Sequence, residues 1–201
     1  MTQKKCFLNT DNTMAIQGKA ISQWIGQQNA LHLWSARERG MVDTVVIHYI
    51  SAIETQPDTP FAIGPVLELF CRFGVSSHYL ISREGVVYQL VPEKEKAWHC
   101  GGSVMPAPDN RRGVNEFSLG IELVATHDSG FTEEQYGALA VVSLEIERRW
   151  PIKTYVGHED VAGEDAVALG LRKDVKTDPG PLFDWKKFYV LKAGKNGLKG
   201  K

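Results

Sequence analysis

A short apolar run near the start of the chain constrains the fold more than any other feature. Residues 42–49 have the sequence VDTVVIHY, which is rich in β-branched residues and nearly free of polar alternation. Such a run is typical of a strand buried on both faces, as in sheets that helices cover. Residues 119–125, LGIELVA, predict another strand.

Helices with clear ends separate these strands. PFAIGPVLELFCRFG predicts a helix that starts near Pro65 and ends at Gly74. TEEQYGALAVVSLEIERRW predicts a longer helix, because Thr132 and Gln135 form a capping box before it and Pro151 follows it.

A hairpin and two shorter elements complete the pattern. Residues 77–91 contain two apolar runs around SREG, a hairpin signal in which Gly85 supplies a positive φ. TYVG predicts a short strand before His158, and DWKKFYVLK predicts a final helix. This alternation predicts an α/β fold with a central mixed β-sheet flanked by helices.

The same pattern divides the chain into three parts. Residues 41–190 form the predicted domain, and residues 191–201 form a Gly- and Lys-rich tail that we expect to be flexible. Residues 1–40 form an N-terminal extension with one possible helix face, made of Ile21, Trp24, Ile25, Leu31 and Trp34.

Composition excludes several classes of partner. The formal net charge is −1, so no broad basic surface for nucleic acid or anionic lipid is expected. No apolar run approaches about 18 residues, and no secretory signal precedes the domain. Three cysteines are few and odd in number, which favours a reducing compartment over a disulfide framework. We therefore expect a cytoplasmic monomer that binds neither nucleic acid nor membrane.

Four polar residues at the predicted strand ends and turns suggest a metal site. His48 and His158 are each, taken alone, consistent with a structural histidine, and Asp178 with a turn residue before proline. Glu122 lies inside a strand, where a carboxylate is costly unless it is paired. Together, two imidazoles and one carboxylate are a suitable set for zinc, and a second carboxylate is available as a general base.

The segment VKTDPGPLFDW adds a cation to this set. Lys176 and Asp178 lie two residues apart, so in extended chain they project to the same side. A lysine beside a metal is placed to stabilise charge on a carbonyl oxygen. Other metal and nucleophile motifs, such as H-E-x-x-H and G-x-S-x-G, are absent. A nucleophilic pair of His99 and Cys100 is disfavoured, because neighbours in a strand point to opposite faces.

The motifs, taken in order, resemble a known family. TVVIHY, VSSHYLISREGVVYQLVPEKEKAWHCG, NEFSLGIEL, GHEDVA and KTDPGPLFDW occur in the order found in the type-2 N-acetylmuramoyl-L-alanine amidases. The chain is most similar to the AmpD-like branch, and the likeness extends from residue 42 to about residue 190.

This resemblance implies a fold, a cofactor and a reaction. It implies a mixed sheet flanked by helices, with one zinc ion per chain in a groove, held by His48, His158 and Asp178. It implies that Glu122 is the general base and Lys176 the oxyanion stabiliser. The implied reaction is hydrolysis of the amide between N-acetylmuramic acid, in its 1,6-anhydro form, and L-alanine in cell-wall recycling. The implied partner is a muropeptide or peptidoglycan substrate.

The sequence departs from the family pattern after His158. Residues 159–175 form a longer segment than in close relatives, and it offers Arg172 and Lys173 as rival cations to Lys176. Four further residues are candidates for the substrate groove, although packing and loop hydrogen bonds explain two of them, Trp98 and Asn115, equally well. The four are Trp98, His99, Arg112 and Asn115.

Two alternatives to the recycling amidase remain open at this point. One is a lytic amidase that acts on intact peptidoglycan, as phage endolysins do. The other is a non-catalytic muropeptide-binding module, although such modules typically lack one of the metal ligands, and here every ligand position is filled.

Overall fold

The computed structural model describes residues 13–16, 19–23, 33–38 and 40–197. Its centre is a five-stranded sheet with the strand order β6-β5-β8-β4-β9. All neighbours are parallel except β5 and β6, which form the hairpin. The strands of this sheet are β4 (Thr44–Ile50), β5 (Tyr79–Ile81), β6 (Val87–Gln89), β8 (Ser118–Val124) and β9 (Thr154–Gly157).

Two small antiparallel sheets lie outside the central one. In the first, β1 (Thr13–Ile16) pairs with β2 (Lys19–Gln23). In the second, β3 (Trp34–Ala36) pairs with β7 (Glu95–Ala97), which brings the start of the domain next to the segment after the hairpin.

The helices have ends that the sequence explains. They are α1 (Ile63–Phe73), α2 (Glu133–Arg149), α3 (His158–Val161), α4 (Glu164–Ala168) and α5 (Trp185–Gly197), with a 3₁₀ turn at Val114–Glu116. Gly74 closes α1 in the left-handed conformation, at φ 64°. Thr132 and Gln135 form the capping box of α2. Within the described part of the chain, no helix is long and apolar enough to cross a bilayer.

The two faces of the sheet have different partners. Alternate residues of β4 and β8, such as Val45, Ile47 and Ile121, face the main core, which α2 and α5 cover. The opposite face is covered at one end by α1 and, at the other, by the loop after β7 together with α3. His48 and Glu122 lie on this second face, between those two coverings.

The structure confirms the predicted fold class, and it differs from the sequence expectations at both ends of the chain. Ile21 lies in β2 and Trp34 in β3, so these two positions of the predicted helix face are in strands; Trp24, Ile25 and Leu31 lie outside the described residues. Pairing of β3 with β7 takes precedence over local helix propensity here. Residues 191–197 of the predicted tail continue helix α5, and the rest of that tail lies outside the described residues.

One cysteine also differs from expectation. Cys71, in α1, is disulfide-bonded, whereas Cys100 is free and buried. The prediction that the cysteines are reduced is therefore wrong for Cys71, because a count of cysteines carries no information about which of them meet in space.

Gln135 joins α2 to the sheet and provides a test of the fold. It is fully buried, and its Nε2 donates hydrogen bonds to the carbonyl oxygens of Ile81, at 3.3 Å, and Val124, at 2.9 Å. We expect Gln135→Leu to lower the free energy of unfolding by about 2–3 kcal/mol, since it removes the two buried hydrogen bonds that Gln135 donates to the carbonyl oxygens of Ile81 and Val124.

Urea unfolding monitored by circular dichroism measures this effect. The exposed Glu68, in the middle of α1, supplies the control: Glu68→Gln is expected to change stability by about 0.5 kcal/mol or less. Equal stability of Gln135→Leu and the wild-type chain would contradict the assigned role of Gln135.

Candidate active site

Polar residues lie at one level of the sheet, at the ends of the neighbouring parallel strands β8, β4 and β9. In the register of β4 with β8, His48 lies directly opposite Glu122. In the register of β4 with β9, Ile47 pairs with Gly157, so His158 follows at the level of His48. The carboxyl ends of parallel strands are where α/β sheets usually bind ligands. Here the strand pairing alone brings two imidazoles and a carboxylate together.

Asp178 lies in the loop before α5, next to these residues. The N–H of Glu159 donates to the carbonyl oxygen of Asp178 at 2.8 Å, and the N–H of Lys176 donates to the carbonyl oxygen of Ala162 at 3.0 Å. These bonds tie the loop to both ends of α3. An added Cβ at Gly157 would lie 2.8 Å from Cδ of Pro179, so the loop passes close over this glycine.

The resulting cluster has the geometry of a zinc site. Nδ1 of His48 and Nδ1 of His158 each lie 3.2 Å from a carboxylate oxygen of Asp178. Ligands about 2.0–2.1 Å from a tetrahedral zinc lie about 3.3 Å from one another. The donor set of two imidazole nitrogens and one carboxylate oxygen is also one that zinc prefers. The residues present therefore fit a single zinc ion.

A second group of possible ligands shares His48. Its members are His48, His99 and Cys100, and their ligand atoms also lie within 4.8 Å of one another. All three are buried, which leaves no open side for a substrate, and burial raises the pKa of the Cys100 thiol well above its usual value. The group with Asp178, which is partly exposed, is the better candidate.

Glu122 is a buried carboxyl group without a partner. It is 8 % exposed, and its Oε2 has no hydrogen-bond partner among the described residues. Burial, and then the charge of Asp178, raise the pKa of Glu122 well above its usual value. Burial likewise lowers the pKa of His48 to about 4, so this imidazole is neutral near pH 7. An unpaired carboxyl group beside a neutral imidazole is typical of a site that takes up a proton.

Lys176 and its two rivals differ in their surroundings. Lys176 is exposed, and its charge lowers the pKa of both Glu122 and His48, which places it near both groups. Arg172 is engaged by the backbone, since its Nη1 donates to the carbonyl oxygen of Cys100 at 3.4 Å and its Nε donates to that of Asp174. Lys173 is exposed in the same loop. Lys176 therefore remains the best-placed cation.

The four groove candidates separate into different environments. Trp98 packs against the cluster around α1, and its Nε1 donates to Oγ of Ser35 at 3.4 Å. His99 is buried beneath the site. Asn115 accepts the N–H groups of His99 and Cys100 at its Oδ1. Arg112 is exposed. Within the part of the chain that the structure describes, Arg112 is therefore the one candidate of the four whose side chain has no hydrogen bond and no packing contact of the kind that engages the other three.

Sequence reasoning missed one member of the cluster. Oγ of Ser118 contacts Nε2 of His99 at 3.3 Å, and the side chain of Ser118 is fully buried. A serine at the start of a predicted strand carries no local signal of this contact, because its partner lies 19 residues away and is brought close only by folding.

Comparison with known proteins identifies the family. Residues 38–181 match the Amidase_2 model, described as N-acetylmuramoyl-L-alanine amidase. The chain belongs to this family. It is 38% identical over 145 residues to the 1,6-anhydro-N-acetylmuramyl-L-alanine amidase AmpD of Escherichia coli, covering 71% of this chain and 72% of that protein. The corresponding AmpD of Citrobacter freundii is 40% identical over 145 residues, 71% of this chain and 70% of its own.

Solved structures agree with this membership. A selenomethionine derivative of AmpD superposes with a TM-score of 0.63 at 31% identity, over 80% of this chain and 90% of that one. The chain is thus an amidase of the AmpD-like branch, and both the fold and the family predicted from the sequence are confirmed.

The environment of Glu122 predicts how stability depends on pH in the metal-free protein. A carboxyl group whose pKa is raised by folding contributes stability below its unfolded pKa, about 4.3, and that contribution is lost as pH rises through its folded pKa. We therefore expect Glu122→Gln to be more stable than the wild-type chain at pH 7, with a difference on the order of 1 kcal/mol that shrinks toward pH 4.

Urea unfolding of both proteins in the presence of chelator measures this difference. A constant difference between pH 4 and pH 7 would show that Glu122 titrates normally in the folded chain.

Proposed function

We propose that this amidase is zinc-dependent and cleaves the amide between 1,6-anhydro-N-acetylmuramic acid and L-alanine in peptidoglycan fragments, as part of cell-wall recycling. The observation that carries the proposal is the convergence of His48, His158 and Asp178, with Glu122 beside them on the next strand. A binding module without catalysis would have no use for an unpaired buried carboxyl group at this position, since it lowers stability without contributing to binding.

Names and complexes of relatives support the choice of substrate. Curated relatives at 31–40% identity carry the name 1,6-anhydro-N-acetylmuramyl-L-alanine amidase. A Pseudomonas aeruginosa relative, AmpDh3, has been solved in complex with anhydromuramic pentapeptide, at 25% identity and a TM-score of 0.58. AmiD of Escherichia coli has been solved with anhydro-N-acetylmuramic acid-L-Ala-D-gamma-Glu-L-Lys, at 26% identity and a TM-score of 0.52.

In this proposal each residue of the site has one role in the reaction. His48, His158 and Asp178 would hold the zinc, which when bound supplies Lewis acidity toward the substrate carbonyl. Glu122, whose pKa is raised, takes a proton from the attacking water at its carboxylate and returns it to the departing amine of L-alanine. The ammonium of Lys176 stabilises the negative charge that develops on the carbonyl oxygen.

A second candidate is an amidase that acts on intact peptidoglycan. The observation that favours it is the disulfide at Cys71, since disulfides persist mainly in oxidising compartments outside the cytoplasm. The recycling proposal places the enzyme in the cytoplasm instead. The two candidates share the site and the bond cleaved. They differ in compartment and in the substrate, which is a soluble fragment in one case and intact peptidoglycan in the other.

Substrate preference separates the two candidates. We expect the purified protein to release peptide from soluble anhydromuropeptide at least tenfold faster than from intact sacculi, and to lose both activities with a chelator. Chromatography of the released peptide measures both rates. Faster release from sacculi would favour the second candidate, and full activity after removal of all metal would overturn the zinc proposal itself.

Substitutions at the site separate binding of metal from catalysis. We expect Asp178→Ala to lose bound zinc, because two imidazoles alone, without the carboxylate, hold it weakly. Glu122→Gln is expected to keep zinc and lose about 10²–10⁴-fold in kcat. Lys176→Ala is expected to keep zinc and lose about 10²–10³-fold. Metal analysis of each purified variant, paired with the peptide-release assay, measures both properties.

Lys173→Ala provides the matched control, since Lys173 is an exposed lysine of the same loop. It is expected to keep wild-type activity. A large loss of rate at Lys173 with none at Lys176 would reverse the assignment of the oxyanion stabiliser.

A further inference from the structure

A chain of hydrogen bonds runs beneath the site from the backbone to His48. Oγ of Ser118 lies 2.7 Å from the carbonyl oxygen of Val114 and 3.3 Å from Nε2 of His99. Nδ1 of His99 lies 3.0 Å from Nε2 of His48. All four residues are buried, so these contacts are shielded from water.

The direction of every bond in this chain follows from its backbone end. A carbonyl oxygen only accepts, so the hydroxyl of Ser118 donates its single proton to Val114. Oγ of Ser118 must then accept from Nε2–H of His99. With its proton on Nε2, neutral His99 has a lone pair at Nδ1, which faces Nε2 of His48 at 3.0 Å and also Sγ of Cys100 at 3.1 Å. Because two facing lone pairs would repel, Nε2 of His48 carries a proton and donates it to Nδ1 of His99. The proton of His48 is therefore on Nε2, and its Nδ1 lone pair points to Asp178.

His158 is oriented in the same way by Cys100, the residue that follows His99 in the chain. Its Nε2 lies 3.4 Å from the carbonyl oxygen of Cys100, which only accepts, so the proton of His158 is on Nε2. The Nδ1 lone pair of His158 then also points to Asp178. The adjacent residues His99 and Cys100 thus face both candidate ligands, one through a side chain and the other through the backbone.

Two features fix this pair of residues in place. Oδ1 of Asn115 accepts from the N–H of His99, at 3.3 Å, and from that of Cys100, at 2.9 Å. Gly120 of β8 leaves room for the imidazole, because an added Cβ there would lie 2.6 Å from Cγ of His99 and 2.7 Å from its Nδ1. A glycine at this point of the strand is therefore required by the ring that packs on it.

We propose that His99 is a positioning residue, which holds His48 in the tautomer that presents Nδ1 to the metal. This inference rests on the zinc site of the proposed function, and it reassigns a residue that the sequence placed in the substrate groove. His99 is 8 % exposed, and both of its ring nitrogens are engaged. Partners that orient a metal-ligating histidine typically change metal affinity by about 10–100-fold when removed.

The proposal is tested by two substitutions of His99, of which one keeps a hydrogen-bond acceptor for His48 and the other does not. In His99→Asn the amide oxygen takes the place of Nδ1 and still accepts from His48, whereas His99→Leu is of similar size and has no acceptor. Both lose the contact with Ser118. We expect the zinc dissociation constant to rise about 10–100-fold in His99→Leu and to stay within about threefold of wild type in His99→Asn.

The measurement is competition for zinc with a chromophoric chelator, and unfolding of the metal-free variants shows whether each one is folded. The visible spectrum of the cobalt-substituted protein provides a second readout, expected to change in His99→Leu and to be retained in His99→Asn. Equal zinc affinity of His99→Leu and wild type would overturn the proposal, as would equal losses in both variants.

If His99→Leu does not fold, the proposal is tested with Ser118→Ala instead. It removes the acceptor of Nε2–H of His99 and leaves both rings in place, so weaker zinc binding is expected, and unchanged zinc affinity would overturn the proposal. The test of the proposed function has a different outcome. A wild-type chain that binds no zinc contradicts the zinc site itself. If the wild-type chain binds zinc and His99→Leu binds it with equal affinity, only the role of His99 is contradicted.

Discussion

The parallel pairing of β4 with β8 is the interaction on which the rest of the site depends. It places His48 opposite Glu122, and the neighbouring pairing of β4 with β9 adds His158 at the same level. Side chains alternate between the faces of a strand, so a shift of one residue would turn His48 into the main core and bring Ile47 to the site. The apolar residues that face α2 and α5 therefore fix the chemistry on the opposite face.

Burial of polar groups at the site lowers the stability of the fold, and packing of the apolar core must offset this loss. Buried polar groups here include three histidines, a serine and an unpaired carboxyl group: His48, His78, His99, Ser118 and Glu122. Most of them form hydrogen bonds, which limits the free-energy cost of burial, but Oε2 of Glu122 has none to any described residue. A buried group that weakens the fold and is placed for proton transfer is the kind of local conflict that functional sites retain.

The covering loop depends on contacts from well before the sheet begins. Arg37 donates to the carbonyl oxygens of Asn115, at 2.7 Å, and of Ser118, at 2.8 Å. Asn115 in turn holds the backbone of His99 and Cys100. Position 37 lies next to the start of the family match at residue 38. The segment before the first central strand thus supports the layer beneath the candidate ligands.

The sequence by itself determined the class of fold and which residues are candidates for the site. Apolar runs, the capping box at Thr132 and the glycines at positions 74 and 85 act locally, so their structures followed from the pattern. His48, His158, Glu122 and Asp178 were identifiable because metal chemistry limits the residue types that can take part, and the structure brings all four together. Only the tertiary structure decided which way the imidazoles face, that His99 is buried against His48, and that Ser118 and Gly120 support His99. Those facts depend on contacts between residues far apart in the chain, and hydrogen-bond direction is set by a partner that the local sequence does not contain.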